Sequence, residues 1–321
     1  MKNRENKLLF IGNTRLGDCV LSTGLLEDIC NHYNARATVI CGRLGSIIYK
    51  ESPLVDKVII LRKKKYSYHW FELWKAIKNT YWDVVCDLRK TPVSWLIKAK
   101  KRIILNYDKK IIEHRLEGLT RLNPLNRTPL PKVWLKENIH QEAIKLLNGR
   151  SKPYLIIAPT ANWEAKIWPS NNYAYIAKKL MNSSYFKGGT VVIVGGPGEE
   201  AIGENVVSEI GDINPLNLVG KPILPTAAIF SYSRLYIGND SGLMHLSAAV
   251  GTPTLGLFGP TEDKIYSPVG KNTLIVRTPE SPSDLMSDSS FNHRTTGSLM
   301  KTLGVDRVEH AAYELLSKIN L

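Results

Sequence analysis

Long apolar runs are missing from this chain. No stretch approaches the roughly 18 consecutive apolar residues that a membrane-spanning helix needs. The opening Met1-Lys2-Asn3-Arg4-Glu5-Asn6-Lys7 leads into only the four-residue run Leu8-Leu9-Phe10-Ile11, too short for the core of a secretion signal. Cysteine is scarce: Cys19, Cys30, Cys41 and Cys86 show neither a CxxC spacing nor a paired framework. A disulfide scaffold and a thiolate metal cluster are thereby disfavoured, and the four read as reduced core residues of a cytoplasmic protein. The glycines of the first strand-to-helix turn, Gly12 and Gly17, form neither a GxGxxG nor a Walker A pattern, and no finger, RNP or recognition-helix pattern is present. Hydrophobic residues at 43% and charged residues at 22% lie near the globular norm, so neither a fibrous nor a disordered chain is indicated.

What is present is length and an uneven charge. A chain of 321 residues exceeds one small core and fits two domains. The net charge is +14, but residues 1–150 hold 29 Lys and Arg against 14 Asp and Glu, a net +15, which leaves −1 for residues 151–321. An anionic partner is therefore expected for the first half alone: nucleic acid, a phosphorylated glycan or an anionic membrane face.

Short β-branched runs alternate with amphipathic segments of helical length, the pattern of βαβ units around a parallel sheet. Strands are expected at 7–12, 37–41, 57–61, 83–87 and 102–105, with helices at 16–33, 68–79 and 137–147. The boundary is expected near residue 150. The alternation then restarts, with strands at 154–158, 190–194, 216–219, 234–238, 254–258 and 273–276, and helices at 170–181, 198–210, 226–232 and 241–250. Residues 279–302 read as a long surface loop, and 305–319 as a closing helix with Val308, Ala312, Leu315 and Ile319 on one face.

Several strand-to-helix turns carry candidate chemistry. After the first strand, Gly12-Asn13-Thr14-Arg15-Leu16-Gly17-Asp18 puts an acid in the first turn of a helix, as a dipole partner and cap or as a general base. In Pro159-Thr160-Ala161-Asn162-Trp163-Glu164-Ala165-Lys166-Ile167-Trp168-Pro169, the cation Lys166 precedes a helix expected to open at Pro169, where it could complement a bound anion or stand solvated; Thr160 lies just past the strand. In Gly238-Asn239-Asp240-Ser241-Gly242-Leu243-Met244-His245 a strand runs into a helix whose free N–H groups suit a diphosphate. Asp240 and Ser241 are also ordinary caps, and His245 is equally at home in a core. Glu199 or Glu200, after the turn Gly195-Gly196-Pro197-Gly198, either meets a sugar or ribose hydroxyl or answers the helix dipole, and Thr261 of Gly259-Pro260-Thr261 is a further polar contact.

In order and spacing, Arg15-x-Gly17-Asp18, Lys166-x-Trp168-Pro169, Asn239-Asp240-Ser241-Gly242-x-x-His245-x-x-Ala248-Ala249 and Gly251-Thr252-Pro253 through Thr261 resemble the lipopolysaccharide heptosyltransferase family across nearly the whole chain. The resemblance implies a GT-B fold, two Rossmann-like doubly wound parallel-sheet domains facing a cleft. The N-terminal domain would bind an anionic glycolipid acceptor, and the C-terminal one an ADP-activated heptose as substrate. It implies Asp18 as general base of an inverting transfer. Lys166, Asp240, Ser241, Gly242 and His245 would lie at the diphosphate, with no metal and no further cofactor.

The basic half then suits an anionic core acceptor at the inner membrane face. Arg62-Lys63-Lys64-Lys65-Tyr66-Ser67-Tyr68-His69-Trp70-Phe71 pairs cations with aromatics, as a peripheral membrane contact does, although a solvated loop before a helix with a buried aromatic face reads the same. Two other functions stay open: transfer of another nucleotide sugar to a surface glycan, or nucleotide-sugar epimerisation on the same layout. Nucleic-acid binding rests on the charge alone, and no nucleic-acid partner is expected.

Overall fold

The computed structural model describes residues 5–62, 64–106 and 112–319; Lys63 of the basic run and residues 1–4 of the opening segment lie outside them. The chain divides into two compact units, Met1–Trp134 and Leu135–Leu321. The sequence reading sets the break near residue 150. In the structure it falls earlier, because the helix that follows residue 134 packs on the second unit.

In the first unit, β1 (Asn6–Ile11) leads through α1 (Leu16–Leu21) and α2 (Thr23–Tyr33) to β2 (Ala35–Cys41), α3 (Arg43–Tyr49), β3 (Val55–Ile60), α4 (Tyr68–Ile77), β4 (Trp82–Asp87), β5 (Ala99–Ile104) and α5 (Arg115–Thr120). The strands form one parallel sheet in the order β3-β2-β1-β4-β5. Every β-branched run expected in this half is a strand within a few residues of its expected bounds. The single helix expected over 16–33 is two. At Ser22 the hydroxyl donates to the carbonyls of Asp18 (2.9 Å) and Cys19 (3.2 Å), competing with the helical ladder, and it is paired with the Tyr49 hydroxyl at 2.9 Å.

The second unit runs α6 (Glu137–Leu147), β6 (Tyr154–Ala158), α7 (Ser170–Met181), β7 (Thr190–Ile193), α8 (Glu200–Ile210), β8 (Leu216–Asn217), α9 (Ile223–Ser231), β9 (Leu235–Asn239), α10 (Gly242–Ala249), β10 (Thr254–Phe258), α11 (Asp263–Tyr266), β11 (Thr273–Arg277), α12 (Pro282–Leu285) and α13 (Val305–Ile319). Its sheet is also parallel, ordered β11-β10-β9-β6-β7-β8. Alternate strand residues face one core: Leu155 and Ile157, Val191 and Ile193, Leu235 and Ile237, Leu255 and Leu257 meet α7, α8 and α13. The closing helix joins that core through Val308, Ala312 and Leu315, with Ile319 packed against it, on the face its spacing foretells. The stretch 279–302 is less of a free loop than expected. It contains α12, and its far end is pinned where the Ser298 hydroxyl donates to Ile167 O (2.6 Å) and Leu299 N–H to Ala165 O (3.0 Å), with Met300 buried.

All four cysteines are free and buried in the first unit. Burial pushes the thiols of Cys30 and Cys41 from 9.0 up to about 12, and raises those of Cys19 and Cys86 as well. The folded state thus favours the protonated thiol, and this stabilisation is complete below about pH 9 and lost as pH climbs toward 12. Native protein at pH 8 is expected to leave a chromogenic disulfide reagent unreacted, and all four thiols are expected to react on denaturation; rapid reaction of the native chain would contradict the core assignment.

Candidate functional site

Both sheets reverse strand order beside their first strand, and in open α/β sheets ligands bind outside the carboxyl ends of the strands at such a reversal. In the first unit the reversal lies between β1 and β4. Asp18 comes off β1 there, half-buried, in the first turn of α1. The residue at the N-cap is Arg15, which makes no side-chain capping bond, so Asp18 is a first-turn carboxylate favoured by the helix dipole and not the cap itself. Two glycines that the sequence reading passed over hold its loop. A β-carbon on Gly42 would collide with the Thr14 carbonyl, and one on Gly45 with the Cys19 sulfur. Gly42 N–H donates to Asn13 O at 3.2 Å, so the loop after β1 is fastened to the end of β2. At the end of neighbouring β4, buried Asp87 is taken up by its own turn, accepting from Thr91 N–H and hydroxyl (both 2.7 Å) and Arg89 N–H (2.8 Å).

In the second unit the reversal lies between β6 and β9, whose ends are level, Ala158 opposite Gly238. The close approach is made possible by glycine: a β-carbon on Gly238 would come within 2.7 Å of both the Ala158 β-carbon and the Tyr236 hydroxyl. Across the reversal Asn239, fully buried, donates from Nδ2 to Pro159 O (2.9 Å) and accepts at Oδ1 from Trp168 N–H (3.1 Å) and the Tyr173 hydroxyl (2.8 Å). It therefore ties the loop after β6, the entry to α7 and the start of α10 to one point. Although it sits inside the quoted motif, the sequence reading gave it no role, because a tertiary bridge 80 residues long leaves no local pattern.

Next to it the polar candidates converge. Lys166 Nζ lies 2.6 Å from Asp240 Oδ2, and the Thr261 hydroxyl donates to the same oxygen at 2.9 Å. The pair is largely out of water, with side-chain exposures of 15% for Lys166 and 6% for Asp240. The turn bearing Thr261 is braced by Arg277 at the end of β11, which is ion-paired with Asp263 and donates to Gly259 O at 3.2 Å, a strut that sequence reasoning missed. Ser241 is the N-cap of α10 in extended conformation, yet its side chain makes no capping bond, and Asp240 is turned to Lys166 and Thr261. The capping account of these two residues is therefore set aside, and the first-turn amides beginning at Gly242 are not used by a Ser241 side chain. His245 is buried within the first turns of the same helix. Pro169 proves to be the N-cap of α7, one residue before the expected helical position.

Thr160 and Glu199 sit at neighbouring strand ends. Thr160, buried after β6, fills the space where a β-carbon on Gly195 would lie, 2.7 Å from its methyl. Glu199 folds back to accept from Gly196 N–H at 2.6 Å, closing the glycine turn after β7. Neither is hydrogen-bonded to the Lys166, Asp240 and Thr261 group among the described contacts.

Two doubly wound parallel sheets with their candidate groups gathered at strand reversals define the GT-B class of α/β protein. Two solved structures it resembles share that fold over nearly their full length. It matches the glycosyl transferase family 9 protein of Veillonella parvula with a TM-score of 0.79 at 19% identity, covering 99% of each chain. It matches the ADP-heptose lps heptosyltransferase II of E. coli with a TM-score of 0.76 at 20% identity, covering 98% of this chain and 100% of that one. The sequence model of glycosyltransferase family 9 (heptosyltransferase) matches residues 126–293. Lipooligosaccharide heptosyltransferase 2 of Haemophilus ducreyi is 31% identical over 84% of this chain and 88% of its own. Lipooligosaccharide heptosyltransferase 2 of Haemophilus influenzae is 26% identical over 64% of this chain and lipopolysaccharide heptosyltransferase 2 of Salmonella typhimurium 25% over 57%; the match spans little more than half the length of those two, 58% and 52%. The chain belongs to glycosyltransferase family 9.

Removing one member of a largely buried ion pair strands the other charge, at about 3–5 kcal/mol. Lys166→Met and Asp240→Asn are each expected to destabilise the second unit by an amount on that scale, and the double variant by less than their sum. A double-mutant cycle on thermal or urea unfolding measures this, and strict additivity would show that the two side chains are not coupled.

Proposed function

We propose that the chain is an inverting heptosyltransferase that moves heptose from ADP-heptose onto an anionic acceptor of the lipopolysaccharide core type. The observation that carries the reading is the group at the start of α10: a desolvated ammonium, Lys166, beside a helix N-terminus at the strand reversal. Helix amides and a cation are the groups that stabilise negative charge growing on a departing diphosphate. An ammonium has three donors and the Asp240 pair uses one, so Lys166 has donors to offer an anion as well. Family membership and the heptosyl donors and acceptors named for the relatives support the sugar and the acceptor class.

In this proposal the second unit holds the donor and the first holds the acceptor. An acceptor hydroxyl oxygen attacks the anomeric carbon, and the bond from that carbon to the diphosphate oxygen breaks. Its electron pair leaves with ADP, and the hydroxyl proton passes to Asp18, with inversion at the carbon. Lys166 and the amides from Gly242 onward meet the diphosphate, His245 assists there, Thr160 and Thr261 add polar contacts, and Glu199 is the candidate partner of a ribose hydroxyl.

The acceptor's carboxylates and phosphates fit the charge of the first unit. Residues 1–134 carry 26 Lys and Arg against 12 Asp and Glu, a net +14, and residues 135–321 carry 17 of each. Among the described residues no helix is long and apolar enough to cross a membrane, and peripheral contact with an anionic membrane face is part of the proposal.

The test has two arms. ADP-heptose should raise the melting temperature more than UDP- or GDP-sugars, by mass action on the folded state. Asp18→Asn should then lower kcat by about 10²–10⁴-fold with donor-induced stabilisation retained, since a general base contributes to the transition state and not to donor binding. Undiminished transfer by that variant would remove Asp18 from its role, and conversion of the donor without any acceptor would replace transfer by epimerisation.

A further inference from the structure

The first unit displays aromatic and aliphatic side chains to solvent in a continuous ridge. The Tyr68 and Phe71 rings lie 5.6 Å apart, Phe71 stacks on Trp74 at 5.8 Å, and Trp74 Nε1 donates to Leu96 O at 3.1 Å, which joins the ridge on α4 to Trp95 and Leu96 in the turn between β4 and β5. Trp95 is 64% exposed and Leu96 66%, and Tyr66, at the approach to α4, is wholly exposed. Beneath the exposed pair the fold is firm. Val93 and Ile97 on either side are buried in the core, and Arg102 donates to Ser94 O (2.9 Å) and Ile97 O (2.7 Å) with its guanidinium 5.6 Å from the Trp95 ring. A turn clamped on both flanks holds two large apolar side chains outward, an arrangement that exposes apolar surface at a standing cost in water.

Cations accompany the rings one by one. Lys64 Nζ stands 5.9 Å from the Tyr68 ring, Lys75 4.8 Å from Phe71 and Lys78 4.4 Å from Trp74. Lys65 is exposed alongside, and Glu72, paired with Lys64 at 2.5 Å, is the acid that faces this group on α4. Trp and Tyr rings settle at the headgroup level of a bilayer, and each Lys near an anionic surface adds attraction. Polyanions without an apolar phase would meet the cations but leave Leu96 and Trp95 in water.

From this we infer that the ridge formed by Tyr66, Tyr68, Phe71, Trp95 and Leu96, with Lys64, Lys65, Lys75 and Lys78, is the surface by which the protein docks on a bilayer of anionic phospholipid. The inference deepens the glycolipid-acceptor proposal and rests on it for its purpose, but its readout is lipid binding alone.

The full-length chain is sedimented with vesicles of phosphatidylethanolamine and phosphatidylglycerol, and separately with vesicles of phosphatidylcholine. Binding is expected only to the anionic vesicles, weakening with salt. Trp95→Ser with Leu96→Ser should lower partitioning about tenfold by removing the anchors, and Lys64→Gln with Lys75→Gln should lower it about tenfold by removing two charges. All four side chains are at the surface, so melting temperatures should be those of the unaltered chain, and the lysine pair tests the surface even if the Trp95 variant folds poorly. Equal binding to both vesicle types, no binding, or full binding by the lysine variant overturns the inference, as does tighter binding of a single-stranded oligonucleotide that the same substitutions abolish. Heptose transfer, assayed separately on a water-soluble acceptor, tells failure of the enzymatic reading apart from failure of docking.

Discussion

The side-chain amide of Asn239 is the point on which the second unit's site depends. Its three hydrogen bonds reach the loop after β6, Trp168 just ahead of α7 and the Tyr173 hydroxyl on that helix, all from a residue wholly out of water. A buried amide is tolerated only when its donors and acceptors are met, so the bonds constrain one another. With Asn239 set, Asp240 follows it at a determined place, and the loop delivering Lys166 is held at both Pro159 and Trp168. The 2.6 Å ion pair between them is then a consequence of how two strands end and not of chance contact between flexible chains.

Glycine supplies the complementary constraint. Gly238 admits the Ala158 β-carbon, Gly256 admits the Met244 sulfur, which a β-carbon there would meet at 2.6 Å, and Gly42 admits the Thr14 carbonyl. In each case a strand, helix or loop sits closer to its neighbour than a β-carbon would permit.

Much of this was legible because it is periodic or local. Parallel strands betray themselves as short apolar runs, and α13 by the spacing of Val308, Ala312 and Leu315. The candidate groups Lys166, Asp240 and Thr261 could be chosen because each follows a strand and precedes or borders a helix. What could not be read was who bonds to whom. Nothing local to Arg277 says that it braces the turn at Gly259, and nothing local to Ser22 says that its hydroxyl will divide one helix into two. The small helices α3, α5, α11 and α12 were missed for a related reason: at seven residues or fewer they present too few turns for a 3.6-residue period to register. The break at residue 134 was hidden because α6 is amphipathic wherever it packs, and only its neighbours decide which unit owns it.

The placement of Asp240 bears on how such a site could discriminate among anions. A carboxylate at a helix start is already favoured by the dipole, and here it also neutralises the nearest cation. A single weak anion arriving there would gain little, because Asp240 already offsets the Lys166 charge and repels a second negative charge. A diphosphate differs: it brings more than one charged oxygen, so it can take the amides of α10 while sharing Lys166 with Asp240. The Thr261 hydroxyl, donating to the same carboxylate oxygen that Lys166 holds, keeps Asp240 oriented during that sharing. In the proposed donor site the acid would then act as a filter, lowering affinity for small anions while leaving a ligand with several phosphoryl oxygens able to bind.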